Sequence, residues 1–519
     1  MQKLHRPDFP CRNALFVLVL GRVGLHEHAL DAATVEANIY LLDAGGAKVD
    51  ASDVYDGAKR VTLKPSAGLN AYASYRLIVD SGLKSAAGEA ILTGKVIRIR
   101  TGLDTSDKFP QISDEELLTK VQQQTFRYFW EGAEPTSGMA RERTSSGATV
   151  TTGGTGFGVM AMTVAAERGF VTRSEACQRV QRIVTFLAER ATSYHGAFSH
   201  WIDGQTGQTL PFSADDNGAD LVETGLLFQG LLTARAYFDG ADAAESKLRA
   251  DITALWEAVE WDFFTKEGTE KVLYWHWSPD KGWAMNMPIQ GWNEALIVYV
   301  LAASSPTHPI GREVYAEGWA RGGAMRNGKL FYDTVLPLGE DYGGPLFWAQ
   351  YSFLGLNPRG LSDAYADYWE QVCNHTRINY AYCVDNPKGY AGYGADCWGL
   401  TASDIPDGYT ASSPTNDRGV IAPTAALSSM PYTPDESMAA LRFFYYKLGD
   451  KLWSDYGFID AFDLTTGWFD RGMHIAIDQG PIVVMIENYR TGLPWNLFMS
   501  DKDVQRGLAE LGFTVEAGS

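Results

Sequence analysis

The sequence predicts two domains of different class: an all-β sandwich over residues 1–102 and, after a polar linker at 103–112, an all-α (α/α)6 barrel over 113–519. Three observations predict this. A chain of 519 residues exceeds what one hydrophobic core usually supports. Its first hundred residues are short runs of strand formers punctuated by turn residues. From Ser113 onward, apolar residues instead recur every three to four positions behind helix-start signals.

In the first domain, Ala14–Leu20 is read as the opening strand, followed by strand-forming runs at Val35–Leu42, Arg60–Leu63, Tyr75–Val79 and Val96–Arg100. Asp43-Ala44-Gly45-Gly46, Lys64-Pro65-Ser66-Ala67-Gly68 and Asp80-Ser81-Gly82 supply the turns, at intervals that suit a sandwich of about 100 residues. Lys3, Arg6 and Arg12 before the first apolar run resemble the charged flank of a signal peptide. No small-x-small cleavage pattern follows promptly, so the run is read as strand. Through Ala29–Val35 and Tyr75–Val79 the segment resembles the bacterial Ig-like domain typified by surface-layer proteins, which implies a spacer or a flank to a cleft rather than catalysis.

The helical grammar begins with a capping box, Ser113-x-x-Glu116, ahead of Leu117, Leu118 and Val121. A second, Thr172-x-x-Glu175, precedes Ala176, Val180, Ile183, Val184 and Leu187. Further helical stretches fall near 155–168, 219–238, 243–259, 292–304, 312–323, 345–355, 362–376, 435–447, 477–489 and 502–511. About twelve helices with long aromatic loops suit a toroid of paired helices around a cleft, and the fixed-period repeat of a solenoid is missing. Ala381–Thr433 is read as a long ordered loop over one rim of that cleft. Glycine-rich Thr151–Gly158 lacks the lysine and the preceding strand of a phosphate cradle and is read as a loop at the rim.

Composition narrows the function. A formal net charge of -19 without a basic stripe excludes nucleic acid as a partner, and no apolar run approaches the roughly 20 residues of a membrane span. The 15 Trp and 25 Tyr serve either a large helical core or flat walls for sugar rings. Five cysteines form no disulfide framework, although Cys373, Cys383 and Cys397 lie close enough in sequence to leave room for one bridge. The nine histidines show no zinc-site spacing, so no metal is expected, and no Gly-x-Ser-x-Gly elbow is present.

Carboxylates carry the chemistry. Asp215, Asp216, Asp220 and Glu223 cluster at the start of an apolar helix, where the first two suit capping. Asp220 and Glu223 are read as sharing one helical face. Glycoside hydrolysis needs one carboxylic acid to protonate the leaving oxygen and a second carboxylate to activate water or attack carbon. Inverting enzymes hold the two roughly 6.5–9.5 Å apart, more than the about 5–6 Å between neighbours on a helix, so a second helix should contribute. Glu294, among the polar residues that open the helix through Ala302, is that candidate. Trp201, Trp275, Trp277 and Trp292 are candidate stacking walls, and Asp478 opens another apolar helix whose far end carries Glu487 and Arg490.

Phe126–Trp130, Asp220–Thr224, Asn293–Leu296, Leu301–Pro309, Ile421–Ala426 and Asp478–Pro481 together resemble the bacterial glucoamylase-like domain family that includes endo-β-1,2-glucanases of glycoside hydrolase family 144. The resemblance implies hydrolysis of β-1,2-glucan with inversion, without metal or organic cofactor, in a periplasmic or secreted setting. It implies Glu294 as general acid, with Asp216, Asp220 and Glu223 at positions associated with activity. Exo action releasing sophorose is the alternative, as is a β-glucan of other linkage. A polysaccharide lyase of the same barrel type would need a cationic site in place of this acidic one, and a non-catalytic sugar-binding protein would bind without turnover.

Overall fold

In the computed structural model, which describes residues 16–19, 29–57, 60–70, 73–90 and 93–516, the strand-forming runs of the N-terminal unit (residues 1–107) pair into two antiparallel sheets. One has the order β1 (Phe16–Val19), β4 (Arg60–Pro65), β3 (Ala51–Tyr55); the other has β2 (Ile39–Leu42), β5 (Ser74–Val79), β6 (Lys95–Arg100). Alternate residues Ile39, Leu41, Val61, Leu63, Tyr75, Leu77 and Val79 form the buried core, as a period of two requires. Expectation and structure part at Val35. Ala32–Asn38 is a helix (α1), because the Asp31 carboxylate accepts the Ala33 N–H and caps it, and the strand begins only at Ile39. Strand β3 was hidden by its polar, half-exposed sequence Ala51-Ser52-Asp53-Val54-Tyr55.

Residues 108–519 form the second unit. Its helices are α2 (Asp114–Trp130), α3 (Thr152–Glu167), α4 (Arg173–Glu189), α5 (Leu221–Tyr237), α6 (Ala243–Glu257), α7 (Leu296–Ser304) and α8 (Tyr368–Asp385). They continue with α9 (Pro423–Leu427), α10 (Pro434–Arg442), α11 (Gly449–Leu452), α12 (Ala476–Arg490), α13 (Leu493–Met499) and α14 (Lys502–Leu511). Both capping boxes form, at Ser113/Glu116 and Thr172/Glu175. The helices are of two kinds: α2, α4, α6 and α14 bury one face, whereas α3, α5, α7 and α12 are buried almost all round. The buried ones pack mutually, α3 on α5 and α12 and α5 on α7, while α2 lies on α12, α4 on α6 and α14 on α7.

Several expected elements change character. The stretch at 312–323 becomes a π-turn at Val314–Trp319 and a short 3-10 turn, interrupted by left-handed Arg321 and Gly322, and that at 345–355 becomes two 3-10 turns. Lys108 and Ile112, assigned to the linker, bond to Tyr446, and Phe109 stacks on Tyr445 within the helical unit. Ala381–Thr433 contains the end of α8, a hairpin pairing Ala402–Ile405 with Gly408–Ala411, and α9. Cys177, Cys373, Cys383 and Cys397 are buried free thiols; Cys11 lies outside the described residues.

Thr151–Gly158 is not a rim loop: Thr151 ends a short strand and caps α3, and Thr152–Gly158 are its first turns, all buried. Its glycines serve close helix packing: a Cβ on Gly156 would collide with the Leu226 carbonyl oxygen, and one on Gly230 of α5 with the Gly156 carbonyl oxygen. Neither obstacle is a flexible side-chain end, so the two backbones touch. Gly230→Ala is therefore expected to destabilise by about 1–3 kcal/mol through overpacking, although alanine is the better helix former by about 1 kcal/mol. Thermal unfolding checks this, and an unchanged or raised Tm would mean that the helices do not meet at this glycine.

Candidate active site

The contact between α3 and α5 brings two helix N-termini together. Ala219–Asp220 pairs antiparallel with His276–Trp277, and the Leu221 N–H donates to the Trp275 carbonyl (2.8 Å), which fixes where α5 starts. Asp220 is the N-cap, its Oδ1 accepting the Glu223 N–H at 2.9 Å. The two acids therefore sit at the end of the helix rather than along one face, because Asp220 is extended backbone in a short strand. Across from them, strand Thr149–Thr151 pairs with Trp201–Asp203, and the Thr152 N–H donates to the His200 carbonyl (3.2 Å). At the start of α3, the Gly153 N–H donates to Glu223 Oε2 at 2.6 Å and the Thr151 hydroxyl at 3.3 Å. A Cβ on Gly153 would lie 2.7 Å from that oxygen, so glycine is required for this approach.

Histidines balance the acids. His200 Nδ1 lies 3.2 Å from Asp220 Oδ2 and its Nε2 4.0 Å from Glu223 Oε1. His276 Nε2 lies 3.5 Å from Asp216 Oδ2 and 3.7 Å from Asp220 Oδ2. Burial alone would lower the His200 pKa, but Glu223, Asp220 and Asp216 raise it to about 9. For Asp220, burial is outweighed by the His200 bond, both histidines and the Glu223 N–H, and its pKa falls. Glu223 is pushed up by burial, against His200 and the Gly153 N–H. Asp216 rises to about 6 through burial and the Asp220 charge. Glu294, two residues before α7, rises to about 7 through burial, with Asp220 and Glu223 adding to the shift. The structure thus brings Asp216, Asp220, Glu223 and Glu294 into one electrostatically linked group, whereas Asp215 pairs with Lys281 (2.7 Å) nearer the surface.

A cavity of about 310 Å³ meets this group at Glu223 and is lined also by Thr151, His200, Trp201, Phe212, Arg143, Tyr409 and Ile477. Trp201 is half-buried at its wall, with a buried indole N–H that has no partner among the described residues. Trp275 stacks on His276, and Trp277 packs against Tyr194, His195 and Phe263. Trp292 is a correction: it is buried between Phe353 and Tyr368, with its N–H facing His375 at 3.3 Å, and is core rather than a stacking wall. Asp478 is buried in the first turn of α12, beside a second group made of Asp404, Asp460 and Asp470. Burial, with the Asp404 charge adding, raises its pKa to about 7. Glu487, at the far end of α12, binds Arg168 (2.8 and 3.0 Å) and is a structural ion pair.

Sequence reasoning gave no role to Arg143, whose Nη1 spans both oxygens of Asp404 (3.0 and 2.9 Å), or to Tyr409 on the hairpin. The turn signal Pro406-Asp407-Gly408 announced the hairpin; nothing local announced the arginine. Asp404, Asp460 and Asp470, an all-oxygen set within 4.8 Å, are of the type that suits a hard cation. His200, Asp216 and Asp220 are equally close, but both ring nitrogens of His200 face carboxylates, as an imidazolium requires.

Glu294 also makes stability depend on pH. Its folded pKa of about 7 exceeds the ordinary 4.5, so its contribution to stability is full below the ordinary value and is lost as pH rises through about 7. The Tm of Glu294→Gln is accordingly expected to decline less than that of wild type across this window; equal slopes in the two unfolding series would contradict the burial of a protonated Glu294.

Residues 286–502 match the family model described as "Putative glucoamylase", and residues 26–98 match the bacterial Ig-like domain. An exo β-1,2-glucooligosaccharide sophorohydrolase (non-reducing end) of Parabacteroides distasonis is 48% identical over 421 residues, which are 77% of this chain and 58% of that protein. The chain thus spans less than two thirds of that relative's length. A crystal structure described as a putative glucoamylase, from Bacteroides uniformis, is 58% identical over 78% of this chain and 99% of its own, with a TM-score of 0.77. An endo-β-1,2-glucanase of Chitinophaga pinensis, in complex with sophorotriose and glucose, is 51% identical over 78% of this chain and 99% of its own, with a TM-score of 0.76. The chain belongs to the "Putative glucoamylase" family.

Proposed function

We propose that this protein is a glycoside hydrolase that cleaves β-1,2-glucan with inversion, in the cleft of an (α/α)6 barrel whose inner helices include α3, α5, α7 and α12, buried almost all round. The observation that carries the reading is the linkage of two glutamates in one acidic group, Glu294 with its pKa raised to about 7 and Glu223 lining the cavity beside His200. Glu294 is held as an acid up to about pH 7, while Glu223, beside a histidine cation, faces the cavity. In the proposed reaction Glu294 donates its proton to the glycosidic oxygen. Glu223 takes a proton from a water that attacks the anomeric carbon on the opposite face, and the bond to the leaving oxygen breaks. Asp220 is locked by the Glu223 N–H and His200, and so it orients rather than reacts. Trp201 supplies a flat wall for a sugar ring.

The linkage rests on the relatives, one named for β-1,2-glucooligosaccharides and one for β-1,2-glucan. Endo action is the leading reading. The hairpin bearing Tyr409 lines the same cavity as Glu223 and favours exo release of sophorose as the second reading, since a cleft narrowed at one end admits only chain termini. A periplasmic or secreted setting accords with a polymeric substrate and with the family resemblance.

Incubation with linear β-1,2-, β-1,3- and β-1,4-glucans tests this. Only the β-1,2 polymer is expected to yield sugars, with the α-anomer formed first, and Glu294→Gln is expected to lower kcat by about 10²–10⁴. Mixed oligomers indicate endo action and sophorose alone exo action. Wild-type kcat/KM is expected to fall as pH rises through about 7, where Glu294 loses its proton. An unsaturated, absorbing product, or binding without turnover, would contradict the hydrolase reading.

A further inference from the structure

We propose that His200 is a positioning residue of this site: clamped between Asp220 and Glu223, its imidazolium selects Glu223 as the carboxylate that faces the sugar and keeps it charged. The inference rests on the reading of Glu223 as the base.

Two constraints orient the ring. Its backbone is pinned to the start of α3, since the Thr152 N–H donates to the His200 carbonyl and the Thr152 hydroxyl to the Ser199 carbonyl at 2.6 Å. Its faces and edges are held by Phe212, with ring centroids 4.5 Å apart, and by Trp201 at 5.7 Å. With the ring fixed, the two nitrogens meet two carboxylates unequally. The Nδ1 contact to Asp220, 3.2 Å, is a hydrogen bond; the Nε2 separation from Glu223, 4.0 Å, is longer than one. Asp220 also accepts the Glu223 N–H and is wholly buried, so its oxygens are engaged. Glu223 feels the charge of His200 and is itself a lining residue of the cavity.

Two buried carboxylates this close would not both ionise without a cation. Among the described residues, His200 is the cationic side chain that approaches Glu223 within 4.0 Å. From the neighbouring elements, His276 faces Asp216 and Asp220, Glu294 adds its negative charge to the group, and Arg143, which also lines the cavity, is engaged by Glu142 and Asp404. Removing the His200 charge therefore falls on Glu223 and Asp220, whereas Glu294 is shifted first by burial and then by those two acids, with no contribution from His200.

The test compares pH profiles of kcat/KM on β-1,2-glucan for wild type and His200→Asn, which keeps a donor for Asp220 and loses the charge. The acid limb is expected to move up by about one pH unit or more while the alkaline limb, set by Glu294, stays, with kcat reduced more than KM is raised. A uniform loss with both limbs unmoved would overturn the inference and leave the hydrolase reading standing. Inactive wild type would overturn that reading instead. A second arm, independent of turnover, follows the histidine resonances of isotope-labelled protein by NMR. The His200 signal is expected to stay that of an imidazolium until about pH 9 and to titrate lower in Glu223→Gln. A His200 that titrates at the ordinary histidine pH, or ignores Glu223→Gln, would contradict the clamp.

Discussion

The backbone contact of α3 with α5 at Gly156 and Gly230 is the constraint on which the site depends. Helices with ordinary side chains between them stand 8–10 Å apart. Here glycine on each side removes the spacer, and the first turn of α3 comes close enough for the Gly153 N–H to reach Glu223 at 2.6 Å. Both helix starts then bring the positive ends of their dipoles, with the Gly153 and Glu223 N–H groups bonded to carboxylates, to one small volume, which tolerates several acids. The segment carrying His200 and Trp201 is bonded to the entry of α3, through Thr151 and the Thr152 N–H, so the cation and the aromatic wall arrive with it.

Within that volume the environment assigns different states to chemically similar groups. Asp220 is kept low by hydrogen bonds and histidines, Asp216 rises to about 6, and Glu294, with burial and two negative neighbours, rises to about 7. Burying these charges destabilises the fold relative to an apolar core, so the arrangement reflects function rather than stability. A second buried acidic group around Asp478 lies beside the cavity wall at Ile477, with Arg143 as its cation. The hairpin of Tyr409 is held there through Asp404.

Much of this was legible in the sequence, where the cause is local. Capping boxes at Ser113 and Thr172 mark helix starts because the cap chemistry is complete within four residues. The Asp216, Asp220, Glu223 and Glu294 group was legible because acids stand out at the mouths of apolar helices. What escaped depends on distant partners. The glycines of α3 read as a loop because the helix that requires them lies some seventy residues away at Gly230. Trp201 and Trp292 have similar sequence surroundings, yet one lines the cavity and the other packs on Phe353 and Tyr368. Arg143 acquires its role only by meeting Asp404, 261 residues onward.

The central claim, that one glutamate of this group stays protonated to neutrality while its neighbour serves as base, is tested most directly by difference infrared spectroscopy on protein labelled with ¹³C at the glutamate side-chain carboxyls. The account predicts a labelled carboxylic-acid band that disappears as pH rises through about 7, absent from Glu294→Gln and retained in Glu223→Gln. If no labelled acid band titrates there, or if it persists in Glu294→Gln, the assignment of Glu294 as the acid is wrong.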